Sequence, residues 1–209
     1  MKKIICLLLI LFTLLPLAAA PEVWGGISVT SGRNYFSSEL KEALTVNPEY
    51  NGVKRINTLG PSVDLALFPF SQFRIGAVGS AEIGITIGQE TSEGINKGGY
   101  ISRHFDNSFE YSYGLAYYQL FGNDTWGFFA DARFYKKTYS FATSNKKNDK
   151  HEVFEITKLD ESGINASVGF LAKMKHSYFK MGFKYEMPRS YTKNDGWRLD
   201  IFAGGGFCF

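Results

Sequence analysis

Residues 197–209 read W-R-L-D-I-F-A-G-G-G-F-C-F, and this stretch narrows the possible folds more than any other. Side chains along a strand point alternately to opposite faces. One face takes Trp197, Leu199, Ile201, Ala203, Gly205, Phe207 and Phe209, with no charge among them. The other takes Arg198, Asp200, Phe202, Gly204, Gly206 and Cys208, with a cation and an anion two residues apart. The run is long for a strand of a water-soluble protein. The given sequence ends on an aromatic residue with no polar tail.

The same two-residue rhythm recurs upstream. It predicts strands over residues 22–30, 59–68, 73–88, 107–121, 126–139, 162–173 and 178–187, with 197–209 as the eighth. The third shows it most plainly. Phe73, Ile75, Ala77, Ala81, Ile83, Ile85 and Ile87 share one face; Arg74, Ser80, Glu82 and Thr86 share the other. Short turns are expected at 69–72, where Pro69 fixes φ and lacks a donor, and at 122–125 and 174–177. Long polar connections are expected at 31–58, with one short helix near 37–44, at 89–106, at 140–161, and more briefly at 188–196. An even strand count puts both termini at the short-turn end. A further hairpin within 31–58 would make ten strands.

Charge is distributed by face. The apolar faces of the second to eighth predicted strands carry one charge, Lys136. The opposite faces carry Asp64, Arg74, Glu82, Glu110, Asp131, Arg133, Lys173, Lys180, Lys184, Glu186, Arg198 and Asp200. A charge on a lipid-facing surface near the bilayer midplane costs about 2–4 kcal/mol, so lipid exposure would select this asymmetry. A soluble lipocalin-like barrel would show the same alternation turned inside out. Aromatic residues near strand ends and the terminal Phe209 favour the membrane arrangement. Backbone groups in lipid must all pair, so the sheet must close.

At the other end, Lys2 and Lys3 precede an apolar run over 4–17 and then Ala18, Ala19 and Ala20. That is the pattern of a secretory signal peptide. Cleavage after Ala19 is expected, leaving 20–209 as one barrel domain. Of 23 basic and 20 acidic residues, loss of Lys2 and Lys3 leaves 21 and 20, a balance of +1 that excludes a nucleic-acid-binding surface. Cys208 is then the sole cysteine, so no intrachain disulfide can form.

The closing stretch, with Phe207 and Phe209 at alternate positions, resembles the last strand of bacterial outer-membrane β-barrels. The whole pattern resembles the eight-stranded group of OmpA, OmpX and OmpW. The resemblance implies an all-β, transmembrane, antiparallel up-and-down barrel in the bacterial outer membrane. It implies that Phe207 and Phe209 form part of a signal read by the barrel-assembly machinery, and that the outward faces meet outer-membrane lipids. No peptidoglycan-binding domain follows the barrel here, unlike full-length OmpA.

A barrel of eight strands has an interior barely wider than the side chains that fill it. Asp64, Glu82, Asp131, Arg133, Lys184, Glu186, Arg198 and Asp200 are therefore expected to form a paired lumen network, with Asp131 beside Arg133, Lys184 and Glu186 level with Asp200 and Arg198, and Arg133 a candidate partner for Glu82. The network reads as a salt-bridge plug or as a narrow polar gate. The function that follows is a structural or adhesin-like barrel whose loops meet extracellular or host ligands. The alternative is an OmpW-like conduit for small solutes. An outer-membrane acyl enzyme would need Ser102 and His104, near Asp106, to converge, and no flanking motif supports that. Three dispersed His residues give no metal-ligand spacing, Gly204–Gly206 precede no helix and so form no phosphate loop, and no cofactor is expected. The charged run at 145–152, N-K-K-N-D-K-H-E, reads as a solvated loop or, more sharply, a polyanion-binding patch.

Deleting Phe209 should impair assembly in cells more than refolding in detergent, because only the cell reads the closing strand as a signal. Comparing outer-membrane yield with refolding yield in micelles checks this. Equal losses in both would reduce Phe209 to a packing residue.

Overall fold

The computed structural model describes residues 21–36, 38, 42, 53–70, 73–91, 94–96, 107–147, 150–189 and 196–209. Its strands are β1 (Glu22–Tyr35), β2 (Val53–Phe70), β3 (Ile75–Thr91), β4 (Gly94–Asn96), β5 (Asn107–Phe121), β6 (Trp126–Lys147), β7 (Lys150–Lys173), β8 (Ser177–Pro188) and β9 (Trp197–Cys208). Eight of them follow each other around a ring in the order β2-β1-β9-β8-β7-β6-β5-β3, and the pairing of β2 with β3 closes it. β4 lies outside the ring and pairs only with the loop end of β3, Gln89 to Thr91. The wall is thus an eight-stranded antiparallel barrel, and residues 31–58 add no further wall strand among the described residues. The signal-peptide segment 1–19 lies outside the described residues. Ser38 and Glu42 are helical; the rest of the short helix expected at 37–44 lies outside them as well.

Closure runs through β1 and β9, which pair from Trp24↔Cys208 to Tyr35↔Trp197. Val23 and Phe209 extend this ladder by exchanging backbone hydrogen bonds of 2.9 and 3.0 Å. The backbones approach closely here. A Cβ on Gly206 would collide with the Gly25 carbonyl, and one on Gly26 with the Tyr178 hydroxyl. Gly26 therefore lets the Tyr178 hydroxyl lie against the closing seam. Pro61 occupies the middle of β2, where a missing donor would normally break a ladder. It is tolerated because the β2–β3 register runs from Leu59↔Ile85 to Ser62↔Glu82 without a partner for Pro61.

Faces alternate as the sequence pattern requires. Ile27, Leu65, Tyr113, Leu115, Phe134, Ile201 and Phe207 are each more than half exposed on the outside. The inside buries Glu110, Lys137, Glu186, Arg198 and Asp200. A belt of exposed aliphatic and aromatic side chains around a charged interior is the inverse of a soluble protein, and it fits a wall immersed in hydrocarbon. Aromatic pairs cluster near strand ends on this belt: Phe121–Trp126 at the turn end, with centroids 5.4 Å apart, and Tyr185–Trp197 at the loop end, 6.2 Å apart.

Several boundaries differ from the sequence expectation, for physical reasons. β2 runs through Pro69 to Phe70, so the turn lies two residues later than 69–72. Pro69 falls within the register shift between Leu67 and Phe70, an irregularity that accepts a residue with no donor. Arg74 takes a positive φ of 55° in that turn, and its guanidinium reaches Leu120 O and Asp124 at 3.3 Å in the next turn. Gly122, Asn123 and Asp124 all have positive φ, the residue types that tolerate it best. The largest difference is at 140–161, expected as a loop. It is instead a β-ribbon: β6 and β7 stay paired up to Lys147↔Lys150. β5 leaves β6 at Ser140, and β8 leaves β7 at Gly163. The seven residues of β6 beyond Ser140 rise about 20 Å, at roughly 3.3 Å each.

Both sequence and fold put the turns 122–125 and 174–176 at one end and the ribbon at the other. Trypsin added to intact cells should cut at Lys146, Lys147 or Lys150 and spare Lys175, as read by mass spectrometry of the released peptides. Cleavage at Lys175 with the ribbon tip intact would invert the topology.

Candidate functional site

The interior is built from inward-facing residues of all eight wall strands, in tiers along the barrel axis. At the turn end lies an apolar floor. Trp24 packs against Phe68, Tyr118 and Tyr178 with ring centroids 4.9–5.1 Å apart. Leu120, Leu171, Phe129, Phe202 and Cys208 complete it. Its polar tips converge on Glu22, which accepts hydrogen bonds from Trp24 Nε1 (2.9 Å), Tyr118 Oη (3.2 Å) and Lys173 Nζ (2.9 Å). Aromatic rings with a polar end can cap a mouth in this way, dry inside and wet outside.

Above the floor is a neutral four-ion group. Arg133 holds Asp131 with two hydrogen bonds, Nε at 2.9 Å and Nη2 at 2.8 Å. Its Nη1 reaches Asp64 at 3.3 Å and Ser80 at 2.9 Å. Lys180 closes the group at 2.9 Å from Asp64, its ammonium also 5.6 Å from the Phe202 ring centre. Ser28 donates to Asp64 at 3.1 Å and shares a 2.6 Å hydrogen bond with Ser62. Planar guanidinium and carboxylate match each other's donors and acceptors, so the Asp131–Arg133 contact is directional as well as attractive.

The third tier joins seven ions. Lys184 Nζ lies 2.7 Å from Glu82, 2.9 Å from Glu186, 3.4 Å from Asp200 and 3.5 Å from Glu110. Arg198 contacts Asp200 at 2.6 Å and Glu82 at 2.9 Å. Lys137, fully buried, bridges Glu110 at 2.6 Å and Glu186 at 2.5 Å. Three cations thus serve four carboxylates, an excess of one negative charge in this group. Glu82 and Glu110 stand directly opposite each other on β3 and β5. Like charges opposite in a ladder repel, and the three cations between them offset that. Over this tier Tyr135 and Tyr139 donate to Glu161 at 3.2 and 3.4 Å, and Asn34 donates to the Tyr139 hydroxyl. Phe36 meets Tyr139 edge-on. A cavity in the lumen bounded by Ser28, Asp64, Glu82, Arg133 and Lys184 measures about 20 Å³, close to the space of a single water.

All eight lumen charges read from the sequence point inward. Asp64, Asp131 and Arg133 belong to one group; Glu82, Lys184, Glu186, Arg198 and Asp200 belong to the other. Arg133 does not serve Glu82. Its strand position lies opposite Gly114 and Asn165, below the Glu82–Glu110 pair, so it binds Asp64 and Asp131 instead. Lys137 and Glu161 were not among the expected site residues. Lys137 follows Lys136 directly, and only the strict two-residue alternation, carried one step past Tyr135, marks it as inward. Ser102, His104 and Asp106 lie outside the described residues. His176 is exposed in the turn before β8. Among the described residues no group of His, Cys, Asp or Glu is arranged to hold a metal ion.

No protein-family model matches this chain, and no curated protein matches it. Among solved structures it is similar to Neisserial surface protein A, with a TM-score of 0.60 at 8% identity, covering 89% of this chain and 97% of that one. It is also similar to Ail, the attachment invasion locus protein of Yersinia pestis, with a TM-score of 0.54 at 13% identity, covering 91% and 99%. The fold is that of an eight-stranded outer-membrane β-barrel. At such low identity the likeness carries architecture and no residue roles. The outward apolar belt of this outer-membrane barrel is accordingly its lipid face, and its charged tiers are its lumen.

Removing one ion from a buried group leaves its partners uncompensated, typically at a cost of about 3–5 kcal/mol. Lys184→Met should lower stability by about that much in urea refolding from detergent micelles. Adding Glu82→Gln restores the original charge balance and keeps an acceptor for Arg198, so the double variant should regain at least half of the loss. A double variant less stable than Lys184→Met would show that the ions act separately and not as one group.

Proposed function

We propose that this protein is a non-conducting, non-enzymatic outer-membrane barrel that displays extracellular structure, with an attachment or interaction role carried by its β6–β7 ribbon and loops. One observation carries the reading. Among the described residues the interior is filled from the floor through the two ion tiers by packed aromatics and paired ions, while the β6–β7 hairpin continues about 20 Å past the paired ends of β5 and β8. The cavity between the two ion groups, with room for roughly one water, supports a lumen that does not pass solutes. A ribbon longer than the 9–11 residues a membrane strand needs serves nothing inside the bilayer.

The similar structures are consistent with this role. One is named a surface protein and another an attachment protein, and Ail has also been solved in complex with the heparin analogue sucrose octasulfate. Lys146, Lys147 and Lys150 stand at the tip of the ribbon here, so a polyanionic surface is one ligand class the tip would attract. Phe207 and Phe209 serve assembly in this reading, and outer-membrane lipids surround the wall. The conduit alternative would require the four-ion and seven-ion tiers to part together. Such rearrangement removes several charges from their partners at once, each at a cost of several kcal/mol.

Two measurements test the proposal together. Purified protein in a planar bilayer should give no stable, large conductance. Cells displaying the full chain should attach to sulfated-glycan surfaces or host cells better than cells displaying a chain whose residues 141–156 are replaced by a two-residue turn. Steady conductance in the wild type would favour the conduit. Equal attachment by both would remove the role from the ribbon.

A further inference from the structure

A second feature lies on the outside of the barrel, at the loop end of its lipid face. A groove of about 690 Å³ runs between the rising β6–β7 ribbon and the ends of β8 and β9. Its origin is topological. β8 stops at Pro188 while β7 continues upward, so the wall steps down beside the ribbon. Phe134, Ile164 and Met187 stand side by side across β6, β7 and β8 and give the groove an apolar bed. Tyr185 and Trp197, stacked with centroids 6.2 Å apart, form one wall.

The next row toward the loops changes character. Lys136 stands beside Ser162, and Arg189 donates its backbone N–H to Ser162 O at 2.7 Å. Lys136 and Arg189 therefore flank one residue across neighbouring strands, their backbones roughly 10 Å apart at two strand spacings. Both line the groove. Lys136 is half exposed and meets Asp160 at 3.2 Å, and Thr138 donates to the same carboxylate at 2.7 Å. Arg189 is exposed, and among the described residues no ion pair involves its side chain. Among the described residues, two cations and one carboxylate leave a net positive rim over an apolar bed.

We propose that this groove is a binding site for a phosphate-bearing lipid of the outer leaflet, with acyl chain on the Phe134–Ile164–Met187 bed and phosphate between Lys136 and Arg189. The bed faces hydrocarbon, so its occupant is an acyl chain. The rim stands at the level where headgroups begin, where long cationic side chains reach for anions. A guanidinium matches phosphate oxygens in pairs, and an ammonium adds a point charge. Lys136, the one charge on the apolar faces of the second to eighth strands as the sequence pattern bounds them, thereby gains a partner. The inference rests on the membrane-spanning fold and is independent of any attachment role.

Trp197 in the groove wall supplies the readout. The protein is refolded into vesicles as Trp126→Phe, which removes the other lipid-facing indole; Trp24 remains inside the lumen as an unquenched reference. Acyl-brominated phosphatidic acid and acyl-brominated phosphatidylcholine are titrated separately against unlabelled phosphatidylcholine. Phosphatidic acid should quench Trp197 at a several-fold lower mole fraction, and adding Lys136→Gln with Arg189→Gln should abolish that preference. Equal quenching by both lipids overturns the proposal. So does a preference that survives the double substitution. Both side chains are exposed, so folding should persist, as heat-modifiable gel mobility will show. If the double variant does not refold, Arg189→Gln alone decides the matter: it should reduce the preference by at least half, and an unchanged preference overturns the site.

Discussion

The backbone of a chain in hydrocarbon has no water to bond, so every N–H and C=O must find a partner within the protein. That single requirement organises this structure. It forces the sheet to close, and closure here is made by β1 and β9 and extended by Val23 and Phe209. Closing at eight strands fixes a narrow interior, and the narrow interior forces the inward side chains against one another. Ions placed there have no solvent to turn to. The three-tier arrangement of aromatic floor, neutral four-ion group and seven-ion group is the consequence of closing a charged face at this diameter.

The two ion groups divide the work of filling the lumen differently. Around Arg133 the pairing is local and saturated: two cations, two carboxylates and the hydroxyls of Ser28 and Ser80. Around Lys184 and Arg198 the pairing is shared, each cation meeting four carboxylates. A shared group resists the loss of any single contact but couples all members, so substitutions there should not add. The seven ions sit on β3, β5, β6, β8 and β9, so a passage through this tier would require all five strands' charges to part together. Buried ions of this kind need not stabilise the fold relative to apolar side chains. What they do is occupy the described part of the lumen with side chains tied to one another.

The barrel itself was legible in the sequence because lipid and lumen impose opposite chemistry on alternate residues. Wherever a strand lies between the two, as in 107–121 or 178–187, pattern and structure agree almost to the residue. Legibility failed where that contrast ended. At 31–35 and 55–58 the outward positions include Ser31, Arg33, Arg55 and Asn57, so the apolar alternation stops before β1 and β2 do. At 140–161 the sequence is mostly polar and charged, so the ribbon's ladder leaves no mark in hydrophobicity. The lumen charges could be named from their faces, yet their partners depended on the stagger between strands. By face alone Arg133 is a candidate partner for Glu82; the register takes it to Asp64, while Asp131 beside it on the same face is a partner as the sequence suggests. Lys137 was missed for a related reason, since it lies at the height where the apolar face was already fading.

Lys136 and Lys137 show how completely the wall decides the fate of a charge. They are adjacent in sequence and chemically identical. Lys137 turns inward, is fully buried, and bridges Glu110 and Glu186. Lys136 turns outward, remains half exposed, and meets only Asp160 among the described carboxylates. Inside, the ammonium must be matched by fixed carboxylates because nothing else is available. Outside, at the height where hydrocarbon gives way to headgroups, its remaining charge can be matched by something mobile. A lysine at that height is tolerable near the interface, where the penalty for a lipid-facing cation falls to about 0–1 kcal/mol. With Arg189 one strand pair away, the two cations leave this stretch of rim positive. The same alternation that pairs Lys137 with fixed carboxylates inside therefore leaves Lys136 exposed outside, the contrast on which the proposed lipid site rests.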